Sequence, residues 1–115
     1  MSYHPRWIAL ESTEQLSDSL RLSQSRTQVY FKHSTRCIIS KMVLKQLEDN
    51  IDEIPASTDL YLLDLLAHRD ISNALATQLH VHHESPQVIV VNQEQAVYHE
   101  SHHSIAAEEI AKHCA

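Results

Sequence analysis

Glycine is missing from all 115 residues of this chain. Turns are therefore left to Asn, Asp, Ser, His and Pro, and positive φ angles are expected on Asn or Asp. Cysteine is nearly missing too, with only Cys37 and Cys114 present. Two thiols are too few for a disulfide framework and fit a reducing compartment. The N-terminus lacks the basic, apolar and small-residue pattern of a signal peptide. No apolar run approaches the roughly 20 residues that span a bilayer. Positive charge is in deficit: 9 Lys and Arg stand against 15 Asp and Glu, a formal net charge of −6. That excess argues against nucleic acid or an anionic membrane surface as a partner. What remains, 43% hydrophobic and 21% charged residues, is ordinary for a globular chain able to bury a core without staples. The expectation is one cytoplasmic domain over residues 1–115, with no repeat and no low-complexity stretch.

Periodicity supplies the elements. Residues 7–10 read as a short strand. A helix capped by Ser12 or Thr13 follows to about Ser25, with Leu16, Leu20 and Leu22 as its apolar stripe. Residues 27–32 form a second strand. A second helix runs from Cys37 to about Asn50, with Ile39, Met42, Val43 and Leu47 facing the core. Residues 54–57 are a linker, and residues 59–65 fit a buried strand by length and flanking turns. Asp70 or Ser72 opens a helix carrying Ile71, Leu75, Ala76 and Leu79. Val88–Val91 is the clearest strand, joined by a turn at Asn92–Gln95 to a hairpin partner at 96–99. Ser101 or Ser104 starts a last helix with Ile105, Ala106, Glu109, Ile110 and His113. The order β-α-β-α-β-α-β-β-α predicts an α/β fold with a mixed central sheet flanked by helices on both faces.

Cys37 is the residue most suited to chemistry. It stands where a strand ends and a helix begins, so its sulfur meets the unpaired N–H groups and partial positive charge of a helix N-terminus. Arg36 is adjacent and Lys41 lies one turn on. Such a setting favours thiolate, the nucleophilic form, over thiol. Ser40 is three residues further, and its hydroxyl is placed to donate a hydrogen bond to the sulfur. The pair reads C-x-x-S, a site that can attack a mixed disulfide but has no neighbouring thiol to resolve the product. Ser85-Pro86-Gln87 immediately precedes the clearest strand. Such a proline alone is ordinarily trans, but its place in this element order raises the expectation of a cis Ser85–Pro86 bond, which would free the backbone of Ser85 to pair with an extended disulfide substrate.

These blocks together resemble a known family. Phe31-Lys32-His33-Ser34-Thr35-Arg36-Cys37 with Ile39-Ser40, then Arg69 with Ser72-Asn73 and Ala76, then Val81 with His83-Glu84-Ser85-Pro86-Gln87, and finally Ser101-His102 are similar to the bacillithiol-system, thioredoxin-like monothiol proteins, the monothiol bacilliredoxins. Trp7 and Leu60-Tyr61-Leu62-Leu63-Asp64 fit as well, so the likeness spans nearly the whole chain. It implies a thioredoxin-like fold and a role in low-molecular-weight thiol balance. Cys37 would attack bacillithiol held on a protein as a mixed disulfide, with Ser40 and Arg36 assisting. Thr35, Ser34, His33, His83, Ser85 and Pro86 would line the substrate groove. The implied partners are bacillithiolated or otherwise thiolated proteins, with a small thiol as co-substrate and no bound cofactor. One departure stands out: many members place proline directly after the cysteine, and this chain has Ile38, losing a residue that pre-orders the first helical turn.

Other readings stay open on the residues alone. His33 and His83 either buffer a thiolate near neutral pH or hydrogen-bond loop backbone. Arg69 and Asn73 tie a helix start to its loop, and Ser101 and His102 either cap the last helix or border the thiol groove. The ten histidines, with His80-Val81-His82-His83 and His102-His103 grouped, raise a metal-binding module. In a strand His80 and His82 would share a face, but no C-x-x-C or H-E-x-x-H pattern is present, so no metal ligand is assigned. A non-catalytic adaptor or thiol sensor would keep the groove without turnover. Cys114, at the chain end, is expected to be incidental.

Overall fold

The computed structural model describes residues 3–114. Its strands are β1 (Trp7–Ala9), β2 (Gln28–His33), β3 (Asp59–Asp64), β4 (Gln87–Asn92) and β5 (Gln95–Ser101), and its helices are α1 (Thr13–Leu22), α2 (Ile38–Asp49), α3 (Arg69–Leu79) and α4 (Ala107–Ala111). Short 3-10 turns occupy Ile51–Glu53 and His102–Ser104. The five strands lie in the order β1-β3-β2-β4-β5. β3 pairs in parallel with β1 and β2, and β4 runs antiparallel to β2 and β5. The expected element order and mixed sheet are both present.

Alternation along the central strands sorts the core into two layers. Val29 and Phe31, Leu60 and Leu62, and Val88 and Val90 face α2 and α4, meeting Val43, Leu44, Leu47 and Ile110. Tyr30, Tyr61, Leu63, Ile89 and Val91 face α1 and α3, meeting Leu16, Leu20, Ile71 and Leu75. Each central strand is thus buried on both sides, which is why these segments read as near-continuous apolar runs. Arg6 fastens the far end of the sheet: its guanidinium donates to the carbonyls of Ile51, Ile54, Pro55 and Thr58 at 2.9–3.1 Å.

Several sequence expectations need correction. Positive φ falls on His80, Gln93, Glu94 and His102, not on Asn or Asp. Position outweighs residue preference here. His80 takes the left-handed place after α3, where the amide of Val81 reaches back to the Ala76 carbonyl at 3.2 Å, a helix-ending arrangement that normally favours glycine. Gln93 and Glu94 form the two-residue hairpin loop, a geometry that calls for positive φ at both places. Their amides donate to the Ser23 carbonyl (2.9 Å) and hydroxyl (2.8 Å), anchoring the loop on the end of α1. The turn is shorter than the sequence implied, because Gln95 already pairs with Asn92.

β5 also runs on through Ser101, which opens only the 3-10 turn His102–Ser104, without a side-chain capping bond, and not α4. α4 is only five residues long, and Ile105 is buried ahead of it. Residues 80–86 form a loop and not a strand, so His80 and His82 share no strand face. α1 stops at Leu22, which is 42% exposed.

Candidate functional site

β2 delivers the chain to the site. The register aligns Lys32 with Leu63 on β3 and with Gln87 on β4. The C-terminal ends of the parallel strands and the start of β4 therefore meet at one edge of the sheet, where open α/β folds hold their ligands. α2 and α3 both begin at this edge. The loop 83–86 arrives there as well, with a cis Ser85–Pro86 peptide.

Cys37 is the N-cap of α2, with extended backbone and no side-chain capping bond. Its amide donates to the Ser34 carbonyl at 3.2 Å, closing the turn 34–37. The first helical bond runs from the Lys41 amide to the Cys37 carbonyl at 3.1 Å. The amides of Ile38, Ile39 and Ser40 therefore lie at the open start of the helix, the end that carries partial positive charge. Cys37 is a free thiol, half-buried.

The apolar stripe expected for α2 is displaced. Ile39 and Met42 are exposed, at 36% and 54%, and Ile38 at 73%. The core face belongs to Ser40, Val43, Leu44 and Leu47. The helix is rotated so that three large apolar side chains stand in solvent within a turn and a half of the sulfur.

Ser40 does a different job from the one expected. Its hydroxyl is fully buried, accepts from the Ser34 amide at 3.0 Å and meets His33 Nδ1 at 2.6 Å. Burial lowers the pKa of His33, Lys41 adds to that, and Asp64 and Glu48 oppose it. A neutral ring with Nδ1 unprotonated accepts the Ser40 proton, and one with Nδ1 protonated donates to the Ser40 oxygen. Ser40 thus shapes the loop that carries Cys37 through its contacts with His33 and the Ser34 amide. Replacing Ser40 with alanine strands a buried amide and a ring nitrogen, and is expected to lower stability by about 1–2 kcal/mol. A denaturant midpoint equal to that of the parent chain would contradict this role.

The remaining site residues divide between the two faces of the sheet. His33 lies on the α2 face, against Phe31 with ring centroids 6.0 Å apart. Thr35 borders a cavity of about 330 Å³ that also touches Tyr3, His33, Lys41 and Glu48. Arg36 is exposed in the turn. Pro86 is buried, and its carbonyl accepts from the His102 amide at 3.0 Å, which ties the cis-proline loop to the end of β5. His83 is not brought to His33. It sits on the α3 face, with Nδ1 3.3 Å from Lys32 Nζ and 3.4 Å from Ser72 Oγ.

Lys32 is the residue the sequence reading passed over. It is fully buried, and burial lowers its pKa to about 8. A lysine interrupting an apolar strand was the available signal. A larger cavity, about 570 Å³, lies at the opposite edge by Thr27 and Asn92 and holds no residue of the site. Among the described residues, no three His, Cys, Asp or Glu converge as metal ligands, and no helix is long and apolar enough to cross a membrane.

Cys114 is remote. Its sulfur donates to the Ile110 carbonyl at 3.3 Å. Burial raises its pKa, opposed by the Thr58 hydroxyl and Arg6. Thr58 precedes β3, whose six residues put roughly 17 Å of strand between that edge and the Cys37 edge. Disulfide geometry needs Cα atoms within about 7 Å.

The family model described as monothiol bacilliredoxin BrxC matches residues 8–110. Among solved structures, a protein described as a candidate oxidoreductase with a thioredoxin fold superposes with a TM-score of 0.79 at 27% identity, covering 92% of this chain and 91% of that one. A thioredoxin from Nicotiana alata gives 0.72 at 19% identity, covering 97% and 93%. The Fasciola hepatica thioredoxin gives 0.68 at 17%, covering 91% and 97%. The sheet described above is that of the thioredoxin fold.

Proposed function

The chain belongs to the monothiol bacilliredoxin family, and on that premise we propose that Cys37 removes bacillithiol from proteins that carry it as a mixed disulfide. The observation that supports this most is the isolation of one half-buried free thiol at a helix N-terminus, with the only other cysteine at the far edge of the sheet. The Cys37 thiolate attacks the bacillithiol sulfur. The bond between that sulfur and the client sulfur breaks, and the client leaves as a thiolate that takes up a proton. Cys37 then holds bacillithiol in a new disulfide, with no net oxidation. A second low-molecular-weight thiol, or a redox partner, attacks this disulfide and restores Cys37.

The surroundings suit the two halves of such a substrate. Amides at the start of α2 stabilise sulfur anions as they form and leave. Ile38, Ile39 and Met42 offer an apolar apron to the client protein. Ser85 stands next to the cis bond, with its backbone available to an extended segment.

The test is to mix the protein with a bacillithiolated client and follow both masses. Release of the client thiol with a bacillithiol adduct on the protein is expected, and Cys37→Ser is expected to reduce both to background. An accessible Cys37 that acquires no adduct would instead favour a non-catalytic adaptor or sensor. Cys114→Ala is expected to leave the second-order exchange rate unchanged; a severalfold loss would give that thiol a part in the reaction.

A further inference from the structure

We propose that the small polar pocket at the start of α3 is a carboxylate-binding subsite, and that it receives the acidic end of the low-molecular-weight thiol. The assignment of the ligand rests on the exchange reading above, whereas the pocket's chemistry does not.

The pocket has a volume of about 100 Å³ and is lined by Leu65, Arg69, Ser72, Asn73 and His83. That is room for one carboxylate group and not for a whole substrate. Lys32 Nζ lies directly behind this wall. It is 3.4 Å from the Ser72 carbonyl and 3.3 Å from His83 Nδ1. Both contacts are long, and neither partner carries negative charge. Among the described residues Lys32 and Arg69 have no ion pair. Glu84, whose charge also acts on His83, lies 3.5 Å from His102 and 4.0 Å from His82, and Asp70, next to Arg69 in the first turn of α3, makes no ion pair among the described residues either. A fully buried lysine is normally paired, so this one leaves an uncompensated positive field in a cavity that Arg69 borders.

The donors complement the charge. Arg69 is the first residue of α3, an eleven-residue helix whose N-cap, His68, makes no side-chain capping bond. Arg69 and Asn73, both exposed, bring guanidinium and amide donors to the lining, and the Ser72 hydroxyl there lies 3.4 Å from His83 Nδ1. The cavity beside α2 is different. Its acid, Glu48, already accepts from the His4 amide and from Trp7 Nε1 at 2.9 Å each, and Lys45 there pairs with Asp49.

Position makes the link to Cys37. Lys32 is five residues before Cys37, and His83 is two residues before the Ser85–Pro86 bond. Both lie at the sheet edge where α2 begins. Cys37 sits at the start of α2 and the pocket at the start of α3, and His83 of the pocket belongs to the loop that carries the cis Ser85–Pro86 bond. A small thiol lying across the loop would place its sulfur at Cys37 and its acidic end at Arg69. Bacillithiol carries a malate group and meets that requirement.

Two readouts test this. In the first, malate is titrated into the protein while the His83 ring resonances are followed by NMR. A saturable shift is expected in the parent chain and its loss in Arg69→Gln and in Lys32→Met. No saturable shift, or tighter binding of inorganic phosphate than of malate, would overturn the subsite whatever Cys37 does. Arg69 is exposed, so Arg69→Gln keeps the test intact if Lys32→Met disturbs the strand. The second readout is the ratio of exchange rates for the bacillithiol disulfide over the cysteinyl-glucosamine disulfide, which lacks malate. The ratio is expected to fall about tenfold in either variant. An unchanged ratio would overturn the proposal. A parent chain that exchanges with neither disulfide would defeat the exchange reading alone, leaving the malate titration to decide the pocket.

Discussion

Lys32→Met is expected to raise the unfolding free energy by about 2–3 kcal/mol at neutral pH. Lys32 is fully buried on β2 without a counter-charge, and burial pulls its pKa down to about 8 from the ordinary 10.5. The unfolded chain therefore holds this proton more tightly than the folded one. Below about pH 8 both states are protonated and the full cost of burying the charge is present. Between about pH 8 and 10.5 the folded state gives up its proton first, and stability rises with pH. Methionine fills the space of the lysine stem without the charge. Its advantage should thus be largest below pH 8 and fade towards pH 10.5. Urea midpoints across that range check the claim, and a variant less stable than the parent at pH 7 would refute it. A stabilising substitution so close at hand fits a lysine kept for binding at a cost in stability.

The neighbouring residue on the opposite face should behave in the opposite sense. Phe31→Ala is expected to cost about 3–5 kcal/mol. Phe31 is fully buried and stacks with Trp7 at a centroid distance of 5.9 Å and with His33 at 6.0 Å. Its removal opens a cavity beneath the His33–Ser40 contact, so the turn carrying Cys37 should loosen together with the core. A loss under about 1 kcal/mol would mean that this layer collapses to refill the space. Two adjacent residues with effects of opposite sign follow directly from strand alternation.

Much of this was legible in the chain. The strand-to-helix junction at Cys37, the C-x-x-S spacing and the proline ahead of Val88–Val91 identified the site edge, because each is a local signal. A sheet covered on both faces was legible too, since strands alternating with helices predict it, whereas the assignment of each strand residue to one layer was not read from the chain. What failed depended on tertiary context. Helical periodicity alone admits Ile39 and Met42 as core residues. The rotation of α2 over β2 decides instead that Ser40 and Val43 face inward. Left-handed φ fell on His80, Gln93 and Glu94 because helix termination and hairpin twist fix those positions, whatever residue occupies them. Ser101 looked like the cap of the last helix, but it ends β5 by pairing with Gln87 and opens only a 3-10 turn, with α4 beginning later at Ala107. The Lys32–His83 contact joins residues 51 positions apart, a separation no local pattern reaches.

The central claim is that this thioredoxin fold works with one sulfur. The measurement that bears on it most directly is the intact mass of the parent chain after reaction with a bacillithiol mixed disulfide, once all free thiol has been removed. A stable one-to-one bacillithiol adduct, mapped by peptide mass to Cys37, is the result this account requires. Decay of that adduct to a chain with the mass of an internal Cys37–Cys114 disulfide would contradict it.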